Sequence, residues 1–218
     1  MKRRGFSEID AYYADLEQHD WPPSACQVSA YSEAVLSGTL FDYSTVPYPQ
    51  ASDFLQAWIA ACPNSYHAHL VLGNFCFGRA ADIRGFGWAD SLTQDRWIGA
   101  APACETAAAA LLKAMTLSPR PVAACVTMMQ MAAHLKEPYW LRQLFEGNPP
   151  KTITEDDVEE PGPMDAALAH LAEYGVPRLQ PDQTPQALPV WLAPRAEHEM
   201  EQGKDYRLLR ALELRPAT

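Results

Sequence analysis

The sixteen residues ALLKAMTLSPRPVAAC, Ala110 to Cys125, hold the end of one helix, a break and the start of the next. Ala103, Ala107, Ala110, Leu111 and Ala114 recur at spacings of three and four, so they share one face of a helix. That helix is expected to open with Pro102 at its first position and to run through Leu117, because a proline in the first turn lacks only an N–H that has no intrahelical partner. Pro119 then ends it, and Pro121 begins another apolar helix that continues to about Leu135. With alanine dominating the shared face, a neighbouring helix can approach closely.

Upstream, Phe6, Ile9, Tyr13 and Leu16 predict an amphipathic helix from Phe6 to His19, stopped ahead of Trp21-Pro22-Pro23. A second helix covers roughly residues 25–36, and residues 38–50 read as turns. Ser52 is placed to cap a helix with Phe54, Leu55, Trp58, Ile59 and Cys62 on its apolar face, ended by Pro63. Asn64 caps the next, in which Tyr66, Leu70, Gly73, Phe77 and Ala80 line one side and Leu72 and Cys76 another. A helix apolar on two sides belongs in the core. Downstream, Tyr139–Phe145 is a short helix closed by Gly147-Asn148-Pro149-Pro150. Sustained strand-like alternation occurs nowhere, so the fold class is all-α.

The polar, acidic run KTITEDDVEEPGP, residues 151–163, divides the chain into a helical repeat-like domain over 1–150 and a smaller helical C-terminal region over 164–218. In the latter, Met164–Tyr174, roughly Thr184–Gln202 and Asp205–Leu214 are helix candidates, with Pro185, Pro189 and Pro194 opposing the first half of the middle one. Residues 1–150 carry 10 Lys and Arg against 14 Asp and Glu, and residues 151–218 carry 7 against 13, so the tail is the more acidic part.

The chain of 218 residues is 48% hydrophobic and carries a net charge of −10, which argues against nucleic-acid binding because phosphate neutralisation needs clustered Lys and Arg. A basic partner is easier to accommodate. Five cysteines, without a C-x-x-C pair, sit among apolar neighbours as small hydrophobes would and read as reduced thiols, which favours a cytoplasmic setting. Neither an apolar segment behind the charged N-terminus nor a run of eighteen apolar residues is present, so no signal peptide, membrane span or membrane partner is expected.

Three apolar helix ends close on a proline: Ala61-Cys62-Pro63, Leu117-Ser118-Pro119 and Leu214-Arg215-Pro216. Together they resemble tetratricopeptide-type helical hairpins, in which small residues let two helices pack and a proline ends the second. Ala107, Leu111 and Ala114 ahead of Pro119 match the second-helix contacts of that motif, and Leu72-Gly73 and Cys76 match its first helix. In a plain repeat the positions of Cys76 and Ala107 would lie about nine residues apart. Here they lie 31 apart, which implies an insertion of about 22 residues within one hairpin.

The insertion contains RGFGWADSLTQDRW, Arg84 to Trp97. Together with FLQAWIAACPNSYHAHLVLGNF before it and ALLKAMTLSPRPVAAC after it, this segment resembles the bacterial family called domain of unknown function 4034. The resemblance covers roughly residues 50–145, most specifically Arg84, Gly85, Gly87, Ala89 and Asp90, and leaves residues 151–218 unmatched. It implies an irregular, tetratricopeptide-like helical fold and no established enzymatic activity. Helical proteins of this kind also occur as immunity partners of secreted bacterial toxins.

Catalytic chemistry finds little support. Gly85-Phe86-Gly87 is a lone G-x-G after a helix, without the third glycine or G-K-[ST] that a phosphate cradle uses, and reads as a turn. His67 and His69, two apart on a helix, point in different directions, His198-Glu199 is not continued to H-E-x-x-H, and no Cys-His set has zinc spacing. No G-x-S-x-G elbow is present. Neither metal nor cofactor is therefore expected, and the chain does not read as an enzyme.

Partner binding is the better expectation. Arg84 and Asp90 can pair across a turn that Gly85 and Gly87 make flexible. Trp88 and Trp97 either staple the insertion to neighbouring helices or stand out as interface anchors. Glu155, Asp156, Asp157, Glu159 and Glu160 either form a solvated linker or offer a negative field to a basic partner. The leading expectation is an immunity protein that occludes a secreted antibacterial toxin, with a basic nuclease as the cognate partner. The rivals are an adaptor or chaperone for a secretion component, and an enzyme or small-molecule binder with a pocket under residues 84–97.

Overall fold

The computed structural model describes residues 5–19, 31, 34–35, 40, 46–85, 87–88, 92–150 and 176–193. Among them the regular structure is helical: α1 (Phe6–His19), α2 (Tyr48–Ala61), α3 (Tyr66–Arg84), α4 (Gln94–Leu117), α5 (Val122–His134), α6 (Tyr139–Phe145) and one 3-10 turn, Pro181–Gln183. The limits of α1 and α6 are those the apolar spacing predicts, and α2 and α4 end just ahead of Pro63 and Pro119. The third proline-closed end, Leu214-Arg215-Pro216, lies outside the described residues.

Helix α3 is the centre of the molecule. Its most extensive contact is with α4, and α1, α2 and α5 pack around its other sides. Leu70, Leu72, Phe75, Cys76 and Ala80 are all buried, and α3 is covered from Tyr66 to Ala80 with only His69 and Phe77 partly exposed. The α3–α4 contact depends on the small residues that the sequence singles out. A Cβ on Gly73 would lie 2.7 Å from Leu111 Cγ and 3.4 Å from the Ala107 carbonyl oxygen, so Leu111 rests directly on the backbone of α3. Ala103, Ala107, Ala110, Leu111 and Ala114 are all buried on the facing side of α4.

Three polar side chains inside this core reach across it to other segments. Asn74 on α3 donates through Nδ2 to the Val35 carbonyl. The Thr127 hydroxyl of α5 donates to Asn74 Oδ1 at 2.7 Å. Arg79, fully buried, donates to the Val46 carbonyl, and its guanidinium stands 5.7 Å from the Phe75 ring centroid. These bonds tie the segments before α2 to α3.

Three boundaries differ from expectation. Ser65 rather than Asn64 caps α3, its hydroxyl accepting from the Ala68 N–H at 2.9 Å while donating to Asp10 Oδ1 of α1. Helix α2 begins at Tyr48, a turn ahead of Ser52, because Pro49 occupies the first turn, where no N–H is needed. Helix α4 begins at Gln94, so Pro102 is an interior residue and not its first. Pro102 supplies no N–H to the Ile98 carbonyl four residues before it, and the helix accommodates this in its less buried N-terminal part.

Of the expected C-terminal region, residues 176–193 are described, and over 184–193 the expected helix does not form. Pro185 and Pro189 remove N–H groups that a helix would need there. Val176 and Leu192 are buried in the same core as α1–α6. The segment follows α4 from Arg178, paired with Glu105, to Pro189–Trp191 beside Met115–Pro119. Residues 151–175 and 194–218, including the linker and the other tail helix candidates, lie outside the described residues.

Gly73→Ala is expected to destabilise the fold by about 1–3 kcal/mol, since buried Leu111 must shift to admit the methyl. Urea denaturation would register this, and Leu111→Ala in the same chain should cost less than the sum of the two single changes. A second expectation concerns acid. Partial burial, and then the Lys113 charge, lower the pKa of His69 from 6.5 to about 4. The unfolded chain therefore binds a proton that the folded chain refuses, and stability falls as pH drops from about 6.5 toward about 4. Melting temperatures across that window should fall less steeply for His69→Gln than for the wild type.

Candidate functional site

The insertion is mostly helix. Helix α3 extends past Cys76 to Arg84 and α4 reaches back to Gln94, so residues 85–93 alone connect them. Gly85 ends α3 with φ +79°, and its N–H donates to the Ala81 carbonyl at 2.9 Å. That positive φ suits glycine, and a Cβ there would also collide with Arg96 Nη1. The Arg96 guanidinium donates to the Arg84 carbonyl at 3.5 Å, placing positive charge at the C-terminal end of α3, where the helix dipole favours it.

Arg84 folds over the connector, but through backbone partners. Its guanidinium donates to the Gly85 carbonyl at 3.1 Å and the Gly87 carbonyl at 3.2 Å, and stands 5.1 Å from the Trp97 ring centroid. Asp90, its expected partner, lies outside the described residues, as do Glu155, Asp156, Asp157, Glu159 and Glu160. The two tryptophans separate. Trp97 is partly buried with Lys136 Nζ also over its ring at 5.2 Å, so it fastens the start of α4 to the segment after α5. Trp88 is 88% exposed.

Beneath Trp97 opens a cleft of about 640 Å³, bounded by the first turns of α4, residues 135–138, α6 and Arg178. Arg178 meets Glu105 of α4 at 2.9 Å. Burial pushes the Glu105 carboxyl up from its ordinary value, while the Arg178 charge and the Leu179 N–H oppose that rise. Cys104 also lines the cleft, but burial and then the Glu105 charge push its thiol up to about 12, so it stays protonated and is a poor nucleophile. Among the described residues no group of three or more His, Cys, Asp and Glu converges as metal ligands would.

Over residues 1–218 the chain matches a family model described as Domain of unknown function (DUF4034). The chain belongs to this family. The match takes in the tail, which the motif-based resemblance over residues 50–145 leaves out, and the burial of Val176 and Leu192 gives a physical reason for a common pattern across both parts. No curated protein and no solved structure matches the chain.

In this family member sequence reasoning also misses a buried cluster on the far side of α3. The His67 ring stacks on Tyr13 at 5.7 Å and meets Tyr66 and Tyr31 edge-on at 5.1 and 6.0 Å. His67 Nε2 lies 3.2 Å from Glu17 Oε2. Burial, then the Tyr66 and Glu17 charges, drive the Tyr31 phenol well above its ordinary value, so it stays neutral. The cluster joins residues 13, 17, 31, 66 and 67, and only the adjacent Tyr66 and His67 leave a trace in sequence.

The free cysteines Cys62, Cys76, Cys104 and Cys125 agree with the reading of reduced thiols, and among the described residues no helix is long and apolar enough to cross a membrane. Arg178→Ala should leave the buried Glu105 carboxylate without its cation and cost about 2 kcal/mol, measured by urea denaturation. Adding Glu105→Gln should recover most of that loss, because the amide carries no charge to desolvate.

Proposed function

We propose that this chain is a cytoplasmic immunity protein that neutralises a secreted antibacterial toxin by occluding it, with the α3–α4 connector as the principal contact. The exposure of Trp88, at 88%, is the observation that carries this reading. An indole left in water exposes a large apolar surface, and when it is covered by a partner it becomes the type of anchor that dominates interface energies. The backbone beside it is held by Arg84 on the Gly85 and Gly87 carbonyls and by Arg96 on α3, so little ordering entropy remains to be lost on docking.

The net charge of −10 supports a basic partner such as a nuclease, because a field of that sign speeds the encounter over distances where no contact yet exists. The contact itself would be led by the Trp88 indole, because Arg84 and Arg96 at the connector do not favour a basic partner. An adaptor for a secretion component would share the exposed anchor but hold several clients weakly.

Co-expression with the toxin encoded beside this gene is expected to rescue growth, and the purified pair should form one stable complex. Trp88→Ala should leave the melting temperature unchanged and weaken the complex by about thirtyfold or more, the scale of an aromatic anchor. Failure to rescue from any adjacent gene product would remove the immunity reading, and comparable binding of several unrelated clients would assign the chain to the adaptors.

A further inference from the structure

The cleft under Trp97 is charged against the sign of the whole chain. The protein carries −10, yet the cleft wall presents Lys136, Arg142 and Arg178 against Glu105 and Glu137. Arg178 is already neutralised by Glu105 at 2.9 Å. Among the described residues neither Lys136 nor Arg142 has a carboxylate within ion-pair distance. The Lys136 ammonium is nonetheless held in place, 5.2 Å from the Trp97 ring centroid. Leu92, Ile98, Leu135 and Pro138 make much of the remaining wall apolar. A volume of about 640 Å³ is in the range of small-molecule sites and exceeds what one inserted acidic side chain would fill.

We propose that this cleft binds a small organic anion, its apolar body against Leu92, Ile98 and Leu135 and its carboxylate or phosphate taken by Lys136 and Arg142. Two cations without carboxylate partners among the described residues gain most from an anion that both can reach. The apolar wall sets the rest of the chemistry, because an inorganic ion would leave it in contact with water. Trp88 is not part of this wall, so the site stands apart from the partner-docking reading and can hold or fail without it.

Titration calorimetry on the full chain with 1-naphthyl phosphate, 1-naphthoate and neutral 1-naphthol tests the assignment. At least one anion should bind, more weakly as salt is raised, and 1-naphthol should bind about tenfold more weakly. The tighter anion identifies the head group. Lys136→Met and Arg142→Met, at exposed positions that leave the core untouched, should each weaken the anions by about tenfold while leaving 1-naphthol unchanged. Trp88→Ala should bind the anions as the wild type does. Absence of binding by both anions, equal binding of 1-naphthol, wild-type affinity in both cation variants, or loss of the anions in Trp88→Ala would each overturn the proposal.

Discussion

Leu111 can rest on the backbone of α3 only because residue 73 has no side chain. Once that contact is made, the rest of the arrangement has few alternatives. Alanines at 103, 107, 110 and 114 let α4 lie along α3 over its length, and α1, α2 and α5 are left to cover the sides of α3 that α4 does not reach. A central helix covered on all sides must also satisfy its polar groups internally, because water is absent. Asn74 and Arg79 reach the Val35 and Val46 carbonyls, which fixes those two residues against the core.

What could be read in the sequence was local. Spacings of three and four with a proline beyond the last turn define α1, the end of α2 and the end of α4, since the apolar stripe and the missing N–H both act within a few residues. That the helices carrying Gly73 and Leu111 form one hairpin was legible too, from their resemblance to the tetratricopeptide pattern, but the direct contact of the two residues was not. The start of α4 was misread because proline at position 102 is equally compatible with a first turn and with a poorly buried interior turn, and only tertiary context separates the two. Asn64 and Ser65 are both competent caps, and the bond from Ser65 to Asp10 of α1 favours the second. The cleft draws its wall from residues 92–105, 135–142 and 178, so no window of sequence contains it.

The distribution of charge follows from the same burial. Within the core the cysteine thiols are held neutral: burial drives the Cys76 thiol of α3 far above its ordinary value despite the opposing Arg79 charge, and raises Cys125 of α5 to about 12. Such a core is chemically quiet at neutral pH. Near the N-terminal end of α4 charges of both signs meet, with Arg84, Arg96, Lys136 and Arg142 beside Asp95, Glu105 and Glu137 around the connector and the cleft.

The enclosure of α3 bears on where recognition can occur. In a regular helical repeat the first helices of successive hairpins line a concave surface that receives partners. Here the first helix of the hairpin is α3, and it is enclosed by α1, α2, α4 and α5, so it has no concave face to offer. Lengthening both helices of the hairpin carries their connection beyond this enclosure. The extra residues place Gly85, Trp88 and Trp97 at a point where one indole can be exposed while the other anchors the connector through Arg84. On the proposed reading, the insertion supplies at the end of the hairpin the contact surface that burial of α3 removes from its side.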